Sequence, residues 1–444
     1  MGTKAKKLLI VSYAFPPANG SGAVRVGTMA KYLSEFGWEP VVLTVDKNPH
    51  FPPTLPVGLD EASIVRTPSF YLNPFLNYYR FYSQSNDSIS KLPPASSPRR
   101  AFYHRPSPLI RLVVNLVKQV PIIHNLLFEP VGWYFYGIKE GLKLLSRGDI
   151  SVIFSSCPPR ISHLIAARLH HKTKIPWVAE HRNLWVDPQS NKNRFYRFWE
   201  TKVEKKVMKG CRTLITISEF TVKQLVDIHS KNIAVILTGF DEQEYLGDVP
   251  VVSKFTITST GSISSDRRSP EMFFQAMAQL QEEGKISSDN FELRLYGGSS
   301  LWALLPLIKK HRIEELVNIY GFVPFKESIR KQRESVVLLL LERDNSLAQH
   351  IYPGKVFEYL GASRPILVTG YRGGVIDNLL KQTGAGILVN QVEEVKRVLL
   401  LWLEEWQREG TITSYWNPDG NIIKRYTRRE GARKLAQSLN EASV

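Results

Sequence analysis

Short apolar runs alternate with amphipathic segments along the 444-residue chain. The run at 7–13 predicts a buried strand, and a polar loop containing Gly20 and Gly22 follows it. A helix is predicted from about Ala23 to Phe36, and Trp38–Val45 reads as a second buried strand. This order is typical of the first βαβ unit of a parallel sheet.

The alternation continues to the end of the chain. Further strands are predicted at 151–156, 176–179, 213–217, 255–260, 293–296, 317–320, 336–341, 366–369 and 386–389. A chain of this length exceeds one compact core, so we predict two domains. The sequence indicates an α/β protein with two doubly wound, Rossmann-like domains, 1–235 and 236–420, that face a cleft. A helix at 421–440 is expected to pack back, with the rest of 421–444, on the first domain.

The net charge of +17 lies in the N-terminal half. Residues 1–240 contain 32 Lys and Arg against 15 Asp and Glu, whereas 241–444 are neutral. An anionic partner is therefore expected for the first domain. A membrane surface or a phosphorylated lipid fits better than nucleic acid, because no nucleic-acid-binding motif is recognised. The basic amphipathic segment 109–128, after a polar loop at 83–108, is suited to lie on an anionic bilayer or to pack on its own domain.

Other features bear on the cell compartment. The sequence contains no apolar run of about eighteen residues, so neither a signal peptide nor a membrane-spanning helix is expected. Cys157 and Cys211 lack metal-ligand spacing and suit structural thiols in a reducing cytoplasm.

The segment 350–368 carries the most specific candidate chemistry. It predicts a turn, a helix that begins near Gly354, a break at Arg364-Pro365 and a buried strand. The N-terminus of such a helix attracts phosphate, Lys355 adds a positive charge, and Glu358 can accept hydrogen bonds from sugar hydroxyls. This suits a nucleotide-sugar donor, although an ordinary helix with a solvated Lys and Glu has the same local sequence. A Gly-x-Gly-x-x-Gly pattern is absent from the first βαβ unit, which disfavours a nicotinamide or flavin enzyme.

Taken in order, these motifs resemble those of retaining glycosyltransferases of the GT-B fold, in the large family four of sugar transferases, which includes many bacterial polysaccharide and lipopolysaccharide enzymes. The segments that carry the resemblance are 12–23, 155–159 with His163, 176–185, Ser218-Glu219, 239–241, 261–268, 320–323 and 355–365. The Phe357-Glu358-Tyr359-Leu360 stretch places the chain nearest a subgroup that also has a basic residue before this helix turn.

The resemblance implies roles for particular residues. The implied catalytic residues, most of which stabilise the departing diphosphate, are Arg267, Arg268, Lys355, Glu358 and Arg182. The implied donor-binding residues are Gly20, Ser21, Gly22, Gly261, Ser262, Val323, His350, Tyr352, Pro353 and Gly354. The implied acceptor-side residues are Glu180, His181 and His163, for the last of which a packing or capping role is equally open. The reaction would need no metal or other cofactor.

Three positions depart from the pattern. His350 stands where the family has the first glutamate of a pair, Asn183 replaces a carboxylate, and Thr238 replaces an asparagine. We expect a hexosyltransferase-like enzyme that acts on a lipid-linked or polysaccharide acceptor as a peripheral protein at the inner membrane. A nucleotide-sugar-binding protein without transfer activity, and a sugar-nucleotide epimerase, remain as alternatives.

Overall fold

The computed structural model describes residues 5–46, 53–70, 129–186, 193–261, 263, 269–343 and 348–443. The amphipathic segment 109–128 and the polar loop 83–108 lie outside the described residues. The chain forms two compact units. The first extends to Thr238 and also includes the residues from Arg428 onward. The second runs from Gly239 to Thr427.

The first unit is built on a parallel sheet. Its strands are β1 (Lys6–Val11), β2 (Trp38–Val45), β3 (Ile64–Thr67), β4 (Ile150–Cys157), β5 (Trp177–His181), β6 (Thr213–Thr216) and β7 (Ile233–Val235). They are arranged in the order β3-β2-β1-β4-β5-β6-β7, and every pairing is parallel. Both faces are covered, which explains the continuous apolar runs in the sequence.

Helices form a layer on each face of this sheet. They are α1 (Ser21–Leu33), α2 (Trp133–Leu145), α3 (Ile161–Thr173), α4 (Arg194–Met208) and α5 (Glu219–His229). Alternate side chains of β1 separate the two layers: Leu8 and Ile10 pack in the core beneath α1, whereas Leu9 and Val11 pack in the core beneath α3. This is the two-residue period of a strand expressed as two hydrophobic cores.

The last helix of the chain belongs to the α1 layer. Helix α13 (Arg428–Ser443) packs beside α1, and its Leu435 and Leu439 are buried in the same core as Leu8. The prediction that the C-terminal helix packs back on the first domain is therefore confirmed. Its predicted extent is wrong, because the helix is interrupted at Thr427, which has extended backbone and whose hydroxyl donates to the carbonyl of Lys424.

The second unit repeats the architecture. Its strands are β8 (Phe255–Thr260), β9 (Phe291–Tyr296), β10 (Val317–Gly321), β11 (Val337–Leu341), β12 (Ile366–Thr369) and β13 (Gly386–Val389). Its helices are α6 (Glu271–Glu282), α7 (Leu305–His311), α8 (Phe325–Arg333), α9 (Gly354–Ala362), α10 (Val375–Thr383), α11 (Val392–Glu409) and α12 (Gly420–Ile423). The sheet is parallel in the order β10-β9-β8-β11-β12-β13.

Two further sequence expectations concern membrane spans and thiols. Across the described ranges, we find no helix with both the length and the apolar content needed to cross a bilayer. Cys157 and Cys211 are both buried free thiols, and burial raises the pKa of each to about 12. Both therefore stay protonated at neutral pH and act as apolar packing groups.

Candidate functional site

Each sheet reverses its strand order at one point. The reversal lies between β1 and β4 in the first unit and between β8 and β11 in the second. In open parallel sheets, ligands bind outside the carboxyl ends of the strands at such a point, because the connections on either side diverge. The loops after these four strands therefore mark the candidate site of each unit.

In the first unit, the loop after β1 brings glycines to the start of α1. Gly20 precedes the helix in extended conformation, and the exposed Ser21 begins it without a side-chain cap. Gly22 is buried against Arg182: a Cβ atom at Gly22 would lie 2.0 Å from Arg182 Nη1. A side chain at Gly22 would displace the end of Arg182, so glycine lets the guanidinium pack closely on α1.

Arg182 is held by groups at the carboxyl end of β4. Its Nε donates to Ser156 Oγ at 3.1 Å, and its Nη2 donates to the carbonyl of Pro158. Burial lowers the pKa of Arg182 from its ordinary value, while Glu180 opposes that effect. Because a guanidinium remains protonated at neutral pH, this side chain places a fixed positive charge beside the N-terminus of α1.

Glu180 is enclosed within the first unit. Its Oε1 accepts from Nε and Nη2 of Arg25 at 2.9 and 2.7 Å, and its Oε2 accepts from Ser156 Oγ at 2.7 Å. Arg25 also donates to the carbonyls of Leu237 and Ile236. Both charged side chains are almost completely buried. The structure thus gives Glu180 a place in an internal ion pair, in contrast to the accessible acceptor-side position predicted from sequence.

His163 and His181 are also buried, and their ring centroids lie 4.8 Å apart. His163 Nδ1 is hydrogen-bonded to the hydroxyl of Ser155 at 2.8 Å. Burial is the main cause that lowers the pKa of His181 to about 4 and the pKa of His163 well below its ordinary value. Both rings are therefore neutral at pH 7. For His163, the packing role left open by the sequence agrees with this position, and neither ring offers the accessible surface that acceptor contact requires.

In the second unit, Gly261 and Lys355 meet at the strand-order reversal. Gly261 follows β8 with φ +84, and its N–H donates to the carbonyl of Tyr296 at 2.6 Å. A Cβ atom at Gly261 would lie 2.8 Å from Cε and 3.2 Å from Nζ of Lys355. The positive φ favours glycine, and a side chain here would displace the end of Lys355. Glycine thus leaves room for the lysine ammonium over the carboxyl end of β8.

Glu358 lies one turn further along α9. Its Oε2 is 3.4 Å from Nε2 of the buried Gln332, which also donates to Thr260 Oγ1 at 3.1 Å. The hydroxyl of Tyr359 accepts from the N–H of Thr260 at 3.0 Å and donates to the carbonyl of Leu339 on β11. These bonds tie α9 to both strands of the reversal, so Lys355 and Glu358 are presented at one edge.

The remaining predicted donor residues lead into α9 or lie on neighbouring loops. His350 ends a 3-10 turn, and the ring of Tyr352 packs 5.6 Å from that of Phe357. Pro353 is buried at the N-cap of α9, whereas Gly354 is exposed with open space where a Cβ would be. Val323 lies in the loop after β10. Arg267, Arg268 and Ser262 lie outside the described residues.

Three site residues were missed by the sequence reasoning. Arg25 interrupts the apolar face of α1, and a charge at such a position is a signal of a buried ion pair. Gln332 and Tyr359 gave no comparable signal, because a polar or aromatic residue on an amphipathic helix has many uses. Within the described ranges, we find no group of three or more His, Cys, Asp or Glu side chains arranged to bind a metal ion.

Comparison with known proteins agrees with this architecture. Residues 93–244, about a third of the chain, match the sequence model of Glycosyltransferase Family 4. No curated protein sequence matches the chain significantly.

Solved structures match over nearly the whole chain. A glycosyltransferase from Rickettsia africae is 13% identical with a TM-score of 0.58, over 99% of both chains. Anabaena Alr3699/HepE in complex with UDP and glucose is 13% identical with a TM-score of 0.57, over 98% of this chain and 100% of that chain. Sucrose-phosphate synthase from Thermosynechococcus elongatus is 12% identical with a TM-score of 0.55, over 98% of both chains. The chain has the GT-B fold, as predicted.

Proposed function

We propose that this protein is a glycosyltransferase that moves a sugar from a nucleotide-sugar donor to an acceptor. The observation that carries the proposal is the placement of Lys355 over Gly261, at the strand-order reversal of the second sheet. Helix α9 begins there without a side-chain cap, so backbone N–H groups and an ammonium converge on one point. A diphosphate is the ligand class that best matches this arrangement.

The comparisons support the same reading. The family model that matches residues 93–244 is a glycosyltransferase model. Alr3699/HepE, which shares the fold over nearly the whole chain, was solved in complexes with UDP and with UDP-glucose. We therefore propose that this chain also binds a nucleotide-sugar donor. Glu358, held by Gln332 one turn after Lys355, is suited to accept hydrogen bonds from the ribose or sugar hydroxyls.

The chemistry follows from where charge develops. As the bond between the anomeric carbon and the phosphate oxygen breaks, the anomeric carbon becomes cationic and the diphosphate gains negative charge. Lys355 and the N-terminus of α9 would stabilise that leaving group, and Arg267 and Arg268 are proposed to assist from the loop after β8. We propose that these cations make a metal ion unnecessary. Retention at the anomeric carbon belongs to the same proposal and rests on the family resemblance.

The acceptor is proposed to bind the first unit. Arg182 and the Gly20–Gly22 turn, which the family resemblance assigns to catalysis and to the donor, lie at the strand-order reversal of that unit. We propose that an acceptor bearing phosphate also finds a cation and helix N–H groups there. We propose a lipid-linked or polysaccharide acceptor at the cytoplasmic face of a bacterial membrane, as in the synthesis of lipopolysaccharide and related polymers. The positive charge of residues 1–240 supports this location.

Calorimetric titration with a panel of UDP-, GDP- and dTDP-sugars tests the donor proposal. We expect one class to bind, and we expect Lys355→Met to weaken binding and to lower turnover by about 10²–10³-fold. Lys326→Met, at an exposed lysine of the same unit, is the matched control and should bind as the wild type does.

The products distinguish the alternatives. Transfer of the sugar to an acceptor extract supports the transferase. Isomerised donor formed without any acceptor would instead indicate an epimerase, and binding without turnover under every condition would indicate a binding protein.

A further inference from the structure

The outward positions of α2, α3 and α4 have an unusual composition. Every residue of these three helices that is exposed is either aromatic or basic. The acidic residues of the helices are less exposed: Glu200 and Glu204 are buried in α4, and Glu140 of α2 is half-buried and pairs with Lys143 at 3.4 Å. On α13, in the opposite helix layer, the exposed positions carry mixed charges and amides and no aromatic side chain. We call the outward side of α2, α3 and α4 the aromatic-basic face.

Helix α4 shows the pattern most clearly. Its outward stripe begins with Phe195, Phe198 and Trp199, of which the two phenylalanines are 63% and 59% exposed. The same stripe continues at helical spacing with lysines, among them Lys202 and Lys206. Lys202 Nζ lies 4.4 Å from the ring centroid of Phe198. An ordinary surface helix hides its aromatics and exposes its carboxylates, whereas α4 buries both glutamates and exposes three of its four aromatics, with Tyr196 buried.

Helix α2 repeats this arrangement. Phe135 is 71% exposed and Tyr136 40% exposed in its first turn, and Lys139 and Lys143 follow on the same side. Helix α3 lies between α2 and α4 and presents Arg168 and Lys172, among other basic side chains. At ordinary helix spacing, the three helices make a surface on the order of 20 Å wide.

The aromatic ends of α2 and α4 lie at the edge of the sheet that carries the candidate site. Trp133, the first residue of α2, donates from Nε1 to Oγ1 of Thr67 at the carboxyl end of β3. In α4, the Glu200 carboxylate accepts at 2.7 Å from Arg160, which follows the carboxyl end of β4. The Gly20–Gly22 turn follows β1 at this same edge.

We infer that the aromatic-basic face binds the surface of an anionic lipid bilayer. Tyr and Trp rings partition into the headgroup region through their polar edge, Phe rings bury in the acyl boundary beneath it, and lysines beside them pair with anionic headgroups. Charge complementarity selects this occupant, since a second copy of the chain would bring like charges together. The inference rests on the proposed function for its purpose, because it would hold the site edge of the first unit at the membrane, where a lipid-linked acceptor lies.

Vesicle binding by the full-length chain tests this inference. Co-sedimentation is measured with phosphatidylcholine vesicles and with vesicles that also contain phosphatidylglycerol. We expect binding only to the anionic vesicles. Lys205→Ala/Lys206→Ala should weaken it about 25-fold, since each lysine near an anionic surface contributes roughly fivefold. The matched control Lys309→Ala/Lys326→Ala removes the same charge from exposed positions of the second unit and should leave vesicle binding unchanged.

The aromatic contribution is measured separately. Phe195→Ser/Phe198→Ser should weaken binding to anionic vesicles by about tenfold or more, because neither ring is then buried in the membrane interface. Trp302→Ser, at an exposed tryptophan of the second unit, is its control. Lipids brominated on the acyl chain should quench the wild-type fluorescence more than that of Trp199→Phe, which reports insertion directly.

Several results would overturn the inference. The wild type could bind both kinds of vesicle equally, or the aromatic-basic variants could bind anionic vesicles as well as their controls do. This face could also bind a single-stranded oligonucleotide while the protein binds no vesicles. The inference would also be overturned if the aromatic-basic variants lost self-association, or lost docking of residues 71–128 on this face, while their vesicle binding stayed unchanged. Donor calorimetry on the same samples keeps the two proposals apart: donor binding without vesicle binding rejects this inference alone, and the reverse result rejects the proposed function alone.

Discussion

The buried pair of Arg25 and Glu180 offers the sharpest test of how the first unit is held together. Replacing Glu180 with leucine removes the acceptor of two guanidinium bonds at 2.9 and 2.7 Å and leaves Arg25 enclosed with two backbone carbonyls. Such a change destabilises a protein by about 3–5 kcal/mol, because an uncompensated charge stays buried. For a domain of this size, the melting temperature should fall by about 6–20 °C.

Differential scanning calorimetry is the assay, since two units can give two transitions. We expect the transition of the first unit to shift and that of Gly239–Thr427 to stay. The double variant Arg25→Met/Glu180→Leu should recover much of the loss, because no charge is then left unpaired. Lys7→Met, which breaks an exposed ion pair with Asp149 in the same unit, should give no resolvable shift.

The pH dependence of the pair has a defined sign. Burial raises the pKa of Glu180, but the charge and hydrogen bonds of Arg25 outweigh it and leave the pKa below its ordinary value. The pair therefore contributes stability above the ordinary carboxylate pKa, and this contribution is lost as the pH falls below it. A Glu180→Leu variant no less stable than Lys7→Met, or a double variant as unstable as the single one, would show that the buried pair does not hold the first unit together.

Three further predictions concern other buried or strained positions. Gly261→Ala should lower the free energy of unfolding by about 1–2 kcal/mol, because φ is +84, and should weaken donor binding by displacing Lys355. Calorimetry measures both effects, and an unchanged donor affinity would contradict the second. His163 and His181 have lowered pKa values in the folded protein, so stability should fall as the pH drops below about 6.5, by about 1.4 kcal/mol per pH unit for each histidine. Urea unfolding at several pH values gives the slope of the unfolding free energy against pH. This slope should be smaller for His181→Gln than for the wild type, and an identical slope would argue against buried neutral rings. Gln332→Leu should raise KM for the donor more than it lowers kcat, because it releases Glu358 without removing it. Steady-state kinetics measures both constants, and a larger change in kcat than in KM would indicate that Gln332 acts in the chemical step.

The alternation of elements was predictable because both sheets are covered on both faces. Strands such as β1 and β11 are then continuous apolar runs, and the helices between them show an apolar stripe. The start of α9 at Gly354 and the glycines beside α1 were also predictable, since tight turns and helix N-termini have local sequence signatures. The single C-terminal helix was predicted wrongly, because a local interruption at Thr427 leaves the apolar periodicity on both sides intact.

The predicted acceptor side had a different outcome. Glu180 and His181 directly follow the strand predicted at 176–179, His163 lies in a predicted helix, and the family resemblance gave all three an acceptor-side role. Whether a polar residue at a strand end faces solvent or the interior depends on what packs over it, and here Arg25 and Ser156 meet Glu180 from other elements. Such partners are distant in sequence, so a reading of neighbouring residues could not find them.

Local sequence patterns were enough to predict the class of fold, the two-unit organisation and the segment that presents Lys355 and Glu358. These depend on periodicity, turn residues and helix starts, which act over a few residues. Only contacts between distant segments show that Lys355 lies over Gly261 and that α4 turns Phe195, Phe198 and Trp199 outward and its glutamates inward. Burial is set by contacts between distant parts of the chain, and α4 carries apolar residues on both faces, so periodicity could not select the side that faces the core.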